Sequence, residues 1–231
     1  MFNATVRYGP FKGLRLSGER WWGADTASML LGIYEQELLQ SLQRIPKTHR
    51  TFIDLGAADG YYGIGVLSTG LFDYSYCFER SPAARKLLQA NARLNNVSDR
   101  VRVLAEATRS FTSLIAPHKP SESVLLIDIE GAEFELFDEA LAEVFKGAII
   151  FIELHDWFYP DGDLKLKKLR HLAERYFRIT EFTTSARDLS RFEELAEFSD
   201  DDRWIICSEG RGQRMKWWRL DPMHDFSGGN S

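Results

Sequence analysis

The architecture turns on Thr51-Phe52-Ile53-Asp54-Leu55-Gly56-Ala57-Ala58-Asp59-Gly60-Tyr61-Tyr62. The first five residues are apolar enough for a buried strand, and a helical pattern opens at Tyr61 and runs to Ser68. Between them, Gly56 and Gly60 permit a tight turn and let a ligand approach the backbone. Outward from this point the chain repeats the same rhythm. Strands are predicted at Tyr74–Phe78, Val101–Ala105, Val124–Asp128, Ile149–Leu154, Phe177–Phe182 and Trp204–Ser208. Helices are predicted at Pro82–Asn95, where Pro82 suits a first turn, and at Leu164–Tyr176. Short apolar strands alternating with helices predict an α/β fold with a doubly wound, mostly parallel sheet covered on both faces. Such sheets bind ligands beyond the carboxyl ends of their strands. Polar residues gather at those ends: Asp54 to Gly60, Glu79, Glu106, Asp128 with Glu130, and Glu153 with His155.

The turn after the first strand is acidic. A dinucleotide-binding turn sets a pyrophosphate on the helix N-terminus, where a second anion would be repelled. Here Asp59 holds that position, and Ala58 stands where the middle contact glycine would be. An acidic turn suits a cation better. S-adenosylmethionine (SAM) carries a sulfonium and an ammonium and has no phosphate. Glu79 lies about 20 residues past the turn, the spacing at which an acid bonds ribose hydroxyls. Asp54, Gly56, Ala57, Asp59, Gly60, Glu79, Glu106 and Asp128 are the candidate cofactor residues. Glu106 stands either beside the adenine or as an exposed helix start. Ribose belongs to both cofactors, so an NAD-dependent oxidoreductase is an alternative, and Asp59 weighs against it.

With these residues in view, the chain resembles class I SAM-dependent methyltransferases, and in detail the FkbM-like family. The matching pieces are Phe52 to Tyr62, Phe78-Glu79-Arg80-Ser81-Pro82 with Asn91 and Asn95, Leu126-Ile127-Asp128-Ile129-Glu130-Gly131-Ala132-Glu133, and Phe151-Ile152-Glu153-Leu154-His155. The resemblance spans roughly residues 51–155, and the Asp-Ile-Glu-Gly-Ala-Glu piece is the most specific. It implies a seven-stranded Rossmann-like sheet, SAM as cofactor, and methyl transfer, usually to an oxygen of a sugar or small natural product. Ala58 departs from the glycine of many such turns. Residues 1–46 match no substrate-binding element of the family, which leaves the acceptor open.

Asp128, Glu130 and Glu133 follow the fourth strand, and Glu153, His155 and Asp156 follow the fifth. In a doubly wound sheet these ends are neighbours. Transfer of a methyl group to a hydroxyl needs in-line approach and a base for the proton. His155 is the first choice at neutral pH, oriented by Glu153 or Asp128, and these three are the candidate catalytic residues. A divalent metal on the same carboxylates is a second reading that is not favoured, because Asp128-x-Glu130 with Glu153-x-His155 does not reproduce a metal-dependent pattern. A SAM-binding module without catalysis is a third, against which the base argues. Glu130 and Glu133 serve equally as helix-start acids. Tyr34 and Glu35 open the N-terminal helix within reach of the site or stay in the cap, and Tyr61 and Tyr62 line the cofactor channel or the core.

The remaining features set bounds. The 231 residues and 44% hydrophobic content suit one α/β domain. A net charge of -5 argues against general nucleic-acid binding. The N-terminus has no basic region before an apolar run, and the apolar runs are too short to span a bilayer, so a cytoplasmic location is expected. Cys77 and Cys207 both fall in predicted strands and read as buried, reduced thiols. Residues 1–46 are expected to form a hairpin near Thr5–Leu16 and one helix from Leu30 to Ile45, capping a SAM-binding domain at 47–210. Residues 211–231 are expected to be a solvated tail ending in a disordered Ser227–Ser231, with Ser199 to Asp202 a turn. The pairs Trp21-Trp22 and Trp217-Trp218 cover sheet edges or frame an acceptor pocket. A small-molecule or glycan acceptor is the expected partner.

Overall fold

The computed structural model describes residues 4–17 and 25–223. β1 (Thr51–Leu55), β2 (Tyr74–Phe78), β3 (Val101–Leu104), β4 (Ser123–Ile127), β5 (Ile149–Leu154), β6 (Phe177–Thr183) and β7 (Lys216–Pro222) form one sheet in the order β3-β2-β1-β4-β5-β7-β6. The first five strands are parallel, and β7 lies antiparallel between β5 and β6. The seven-stranded, mostly parallel, doubly wound sheet is therefore present. Its winding reverses between β1 and β4, which opens a crevice outside their carboxyl ends.

Strand alternation divides the interior into two layers. Phe52, Val124, Leu126 and Phe151 face one core, while Ile53, Leu55, Leu125, Ile127 and Ile152 face the other. Elements over the first core include α1 (Thr26–Leu31), α2 (Gln36–Leu42), α3 (Tyr61–Ser68) and α4 (Pro82–Leu94). Elements over the second include α5 (Glu133–Leu136), α6 (Glu139–Val144) and α7 (Gly162–Ala173). A third, smaller cluster joins Leu31 and Ile33 to Leu189, Phe192, Leu195 and Cys207. Among the described residues, no helix is long and apolar enough to cross a membrane.

The N-terminal expectations are met in outline only. Thr5 and Arg15 form one antiparallel bridge rather than a full hairpin. Phe11 from this segment packs onto α3 at Gly65, where a Cβ would fall 2.5 Å from its ring. The single helix read from Leu30 to Ile45 is two, α1 and α2, broken at Gly32. That residue has φ 74°, and its Cα lies so close to the Tyr8 carbonyl that a Cβ would stand 2.0 Å from the oxygen.

The C-terminal expectations need correction. Trp204 and Ile205 do not lie in a strand but in α8 (Asp200–Ile206), whose start is capped by Ser199 accepting from Asp202 N–H. The run Ser199 to Asp202, read as a turn, is thus a helix start with three acids in its first turn, a favourable place for negative charge. Cys207 follows this helix, and both cysteines are free and buried. The missing strand is Lys216–Pro222, inside the stretch read as a solvated tail, so the sheet extends past residue 210. Trp217 and Trp218 face opposite cores and are both buried. Their charged neighbours disguise the strand: Arg219 pairs with Asp221 at 2.8 Å, and Lys216 lies 3.4 Å from Asp156. Trp21-Trp22 and Ser227–Ser231 lie outside the described residues.

Candidate functional site

At the switch point, Leu55 pairs with Ile127, and the two chain ends that follow nearly touch. A Cβ on Gly56 would lie 1.7 Å from the Asp128 carbonyl oxygen, so a side chain here would force the β1 and β4 loops apart. The turn then passes through Ala58 at φ 46° and Gly60 at φ 89° into α3. Glu79, at the end of β2, fixes this turn. Its Oε2 accepts from Ala58 N–H at 2.9 Å and its Oε1 from Ser81 N–H at 2.6 Å. Each oxygen retains a further acceptor site. Asn91 of α4 donates to the Asp59 carbonyl at 2.8 Å. Beneath the turn, Asp54 is buried and accepts from Gly63 N–H at 3.1 Å. Burial, and next the charge of Asp128, push its pKa from 3.8 up to about 8.

A cavity of about 940 Å³ runs over the turn, from Glu79 and Glu106 at one end to His155, Trp157 and Arg211 at the other. Every candidate cofactor residue except Gly60 borders it: Asp54, Gly56, Ala57, Asp59, Glu79, Glu106 and Asp128. Gly60 is buried behind the turn, where a Cβ would press on Leu88 and Ile64. Glu106 is exposed at the cavity edge.

The candidate catalytic residues also converge. His155 Nε2 lies 3.8 Å from Asp128 Oδ1, 3.6 Å from Glu153 Oε2 and 3.5 Å from Glu130 Oε2. On the other side of the ring, Nδ1 lies 3.3 Å from Glu133 Oε1. Burial alone pushes the His155 pKa down, but the Glu133 contact and the charges of Asp128, Glu133 and Glu130 outweigh it and leave it raised. Glu153 is buried beside Asp128 and Glu35, and burial foremost holds its carboxyl well above the ordinary range. Asp128 Oδ1 is a buried atom with no hydrogen-bond partner. Glu130 sits at φ 55°, an uncommon conformation for a side-chain-bearing residue, and such strain collects at functional sites.

The sequence reading missed Arg211, which it placed in a solvated tail. The guanidinium enters the cavity and bonds Glu153 at 2.6 Å, Glu209 at 3.0 Å, the Tyr34 hydroxyl at 3.2 Å, and Glu35. Glu35 is buried, is also bonded by the Tyr62 hydroxyl, and has its pKa raised to about 7, chiefly by burial against the opposing pull of Arg211. The N-terminal segment thus does reach the site. Arg187 extends the cluster, bonding Glu37 and Glu209. The only local signal for Arg211 is its setting between Gly210 and Gly212, which is shared by many loops.

Asp128, Glu153 and His155 each offer one ligand atom to a metal, all within 4.8 Å of one another. Atoms sharing a small octahedral cation stand about 3–4 Å apart, given bonds of about 2.1 Å. His155 Nε2 meets that spacing, at 3.8 Å from Asp128 Oδ1 and 3.6 Å from Glu153 Oε2, but Glu153 is already engaged by Arg211. A metal here would have to take Glu153 from Arg211.

No protein-family model and no curated protein matches the chain. Solved structures do. An O-methyltransferase from Bacillus cereus in complex with SAH has a TM-score of 0.52 at 15% identity, covering 89% of this chain and 84% of that one. Cofactor-bound Rv0187 from MTB has a TM-score of 0.54 at 14% identity, covering 89% and 83%. TYW2 from P. horikoshii, in complex with MeSAdo, has a TM-score of 0.51 at 15% identity, covering 90% and 66%. At such identities the likeness is one of fold: this chain has the Rossmann-like α/β fold of class I SAM-dependent methyltransferases.

Proposed function

We propose that the chain is a SAM-dependent methyltransferase that methylates a hydroxyl of a carbohydrate or other small molecule in the cytoplasm. The observation that carries this reading is the acid-lined cavity over the β1 turn, where Glu79 is pinned by two backbone amides and buried Asp128 Oδ1 has no hydrogen-bond partner. Such a site fits a cationic nucleoside. Glu79 keeps acceptor sites for ribose hydroxyls, and Asp59 and Asp128 supply negative potential for a sulfonium and an ammonium, with Asp54 beneath the turn as a polar contact. The close Gly56–Asp128 approach shapes the cavity floor, with Ala57 against it and Glu106 at the edge. A pyrophosphate would meet carboxylates here, which disfavours NAD. The narrower FkbM-like resemblance rests on the sequence pieces alone.

SAM, when bound, supplies a methyl group on a sulfonium sulfur and leaves as S-adenosylhomocysteine. The chain's own task is to place a hydroxyl in line and receive its proton. His155 suits the second part: it borders the cavity, and its neighbours favour the protonated ring that results. Asp128 balances that charge, and Glu153 flanks the ring on the same side. Because the His155 pKa is raised, the free base is depleted at lower pH, so turnover should rise with pH through that pKa.

Isothermal titration with SAM, S-adenosylhomocysteine and NAD tests the cofactor: micromolar binding of the first two with none of NAD is expected, and no SAM binding below millimolar would overturn the reading. A screen for S-adenosylhomocysteine release over sugars, glycans and phenolic acceptors, with EDTA or Mg²⁺, tests the reaction. His155→Ala should lower kcat by about 10²–10⁴ while sparing SAM affinity. Undiminished turnover would remove His155 from the mechanism.

A further inference from the structure

Glu133 stands in the first turn of α5 yet is fully buried, whereas acids at that helix position ordinarily face water. Both its oxygens are committed. Oε2 accepts from Gly131 N–H at 2.8 Å. Oε1 reaches across to the end of β5, where it accepts from His155 backbone N–H at 2.8 Å and lies 3.3 Å from His155 Nδ1. Among the described ion pairs, its one partner is that imidazole. A helix-start carboxylate needs neither burial nor a contact 22 residues away. A carboxylate buried this deeply is costly unless hydrogen-bonded and paired.

The chemistry of the two groups fixes the ring. An ionised carboxylate only accepts, and a neutral imidazole has one N–H to give. The proton next to Glu133 must therefore sit on Nδ1, which leaves the Nε2 lone pair on the side of Asp128, Glu130 and Glu153. The backbone bond to the same Oε1 holds the ring's anchor as well as its tautomer.

We propose that Glu133 is the positioning residue of this site: it holds His155 in the Nδ1–H tautomer and presents Nε2 to the acceptor hydroxyl. Its consequence for turnover rests on the methyl-transfer reading, and the tautomer rests on the geometry alone. As the acceptor oxygen gains the methyl group, its O–H bond breaks, an Nε2–H bond forms, and the sulfur lone pair is restored. Glu133 then faces an imidazolium, and the Nε2 proton later passes to water in the cavity. Asp128, Glu130 and Glu153 face the same ring, with Arg211 behind Glu153, so their charges act in every variant alike.

Nitrogen NMR of the histidine side chains in the full chain reads the tautomer directly, without an acceptor. The neutral His155 ring of the wild type should be the Nδ1–H form, and an Nε2–H form would overturn the proposal even if no variant folds. In Glu133→Gln the shape is kept and the charge removed, so the ring's proton affinity should fall by about tenfold, one pKa unit. The acidic limb of the kcat–pH profile should move down by the same amount, with KM for SAM unchanged. Glu133→Asp, which keeps the charge, should recover part of the shift. A wild-type titration of His155 in folded Glu133→Gln would overturn the proposal. If the NMR results hold while no acceptor is methylated, the positioning stands and the methyl-transfer reading fails.

Discussion

The turn after β1 and the cluster around Arg211 line the same cavity but are assembled in opposite ways. The turn is nearly complete within one short stretch: a strand, two glycines at positive φ, a helix, and Asp54 bonding Gly63 nine residues on. The cluster gathers Glu35 and Glu153 onto a guanidinium 176 and 58 residues away. Backbone sterics act over a few residues, so the first kind of structure leaves its mark in a local pattern. Ion pairs between distant segments exist only once packing has brought them together, and no spacing rule announces them.

Substitutions can break this contrast or sharpen it. The largest effect is expected in β7, the strand that passed for a tail. Trp218→Ala should cost about 3–5 kcal/mol in denaturant unfolding, as for other large buried aromatics, whereas a solvated tail would tolerate it. Next comes the turn: Gly56→Val drives a side chain into the Asp128 carbonyl and should weaken SAM binding by at least about 100-fold, near 2.7 kcal/mol, in calorimetric titration.

The Arg211 cluster should respond with a pH dependence. Arg211→Met leaves Glu35 and Glu153 buried without their cation, at a cost of about 2–4 kcal/mol at pH 8, less than for a sealed pair because solvent reaches part of Arg211. The loss should shrink near pH 5. Without Arg211 the Glu35 pKa rises further above about 7, so the folded state holds a proton that spares it an unpaired charge. Asp54→Asn tests the same sign in the turn. Asp54 titrates near 8 when folded and near 3.8 otherwise, so between those values the folded state binds more protons and stability falls as pH rises. Removing the group should flatten that slope in unfolding curves taken from pH 4 to 8. The smallest effect is expected for Trp204→Ala on α8, which is half-exposed and should shift stability by no more than about 0.5 kcal/mol.

Much of the fold was legible because β1, β4 and β5 are buried on both faces and read as short, mostly apolar runs. The last strand was not, since Lys216, Arg219 and Asp221 interleave with its tryptophans, and neighbouring Trp204-Ile205-Ile206 imitates a strand more closely. Ser199 and three aspartates made that imitation a helix instead. At the site, Asp128, Glu153 and His155 could be placed together because adjacent parallel strands end at the same rim. Glu133 could not be separated from an ordinary helix-start acid until its burial and its reach to His155 were seen.

By itself the sequence determined the five parallel strands, the glycine turn after β1 and the acidic character of the crevice, because these follow from hydrophobic period, backbone sterics and side-chain charge along a contiguous chain. Tertiary structure alone decided that residues 216–222 close the sheet, that Arg211 sits among Glu35, Glu153 and Glu209, and that Glu133 grips His155. Those outcomes depend on burial and on contacts between segments far apart in the chain, where the cost of an unpaired buried charge selects one arrangement from many that the same local patterns allow.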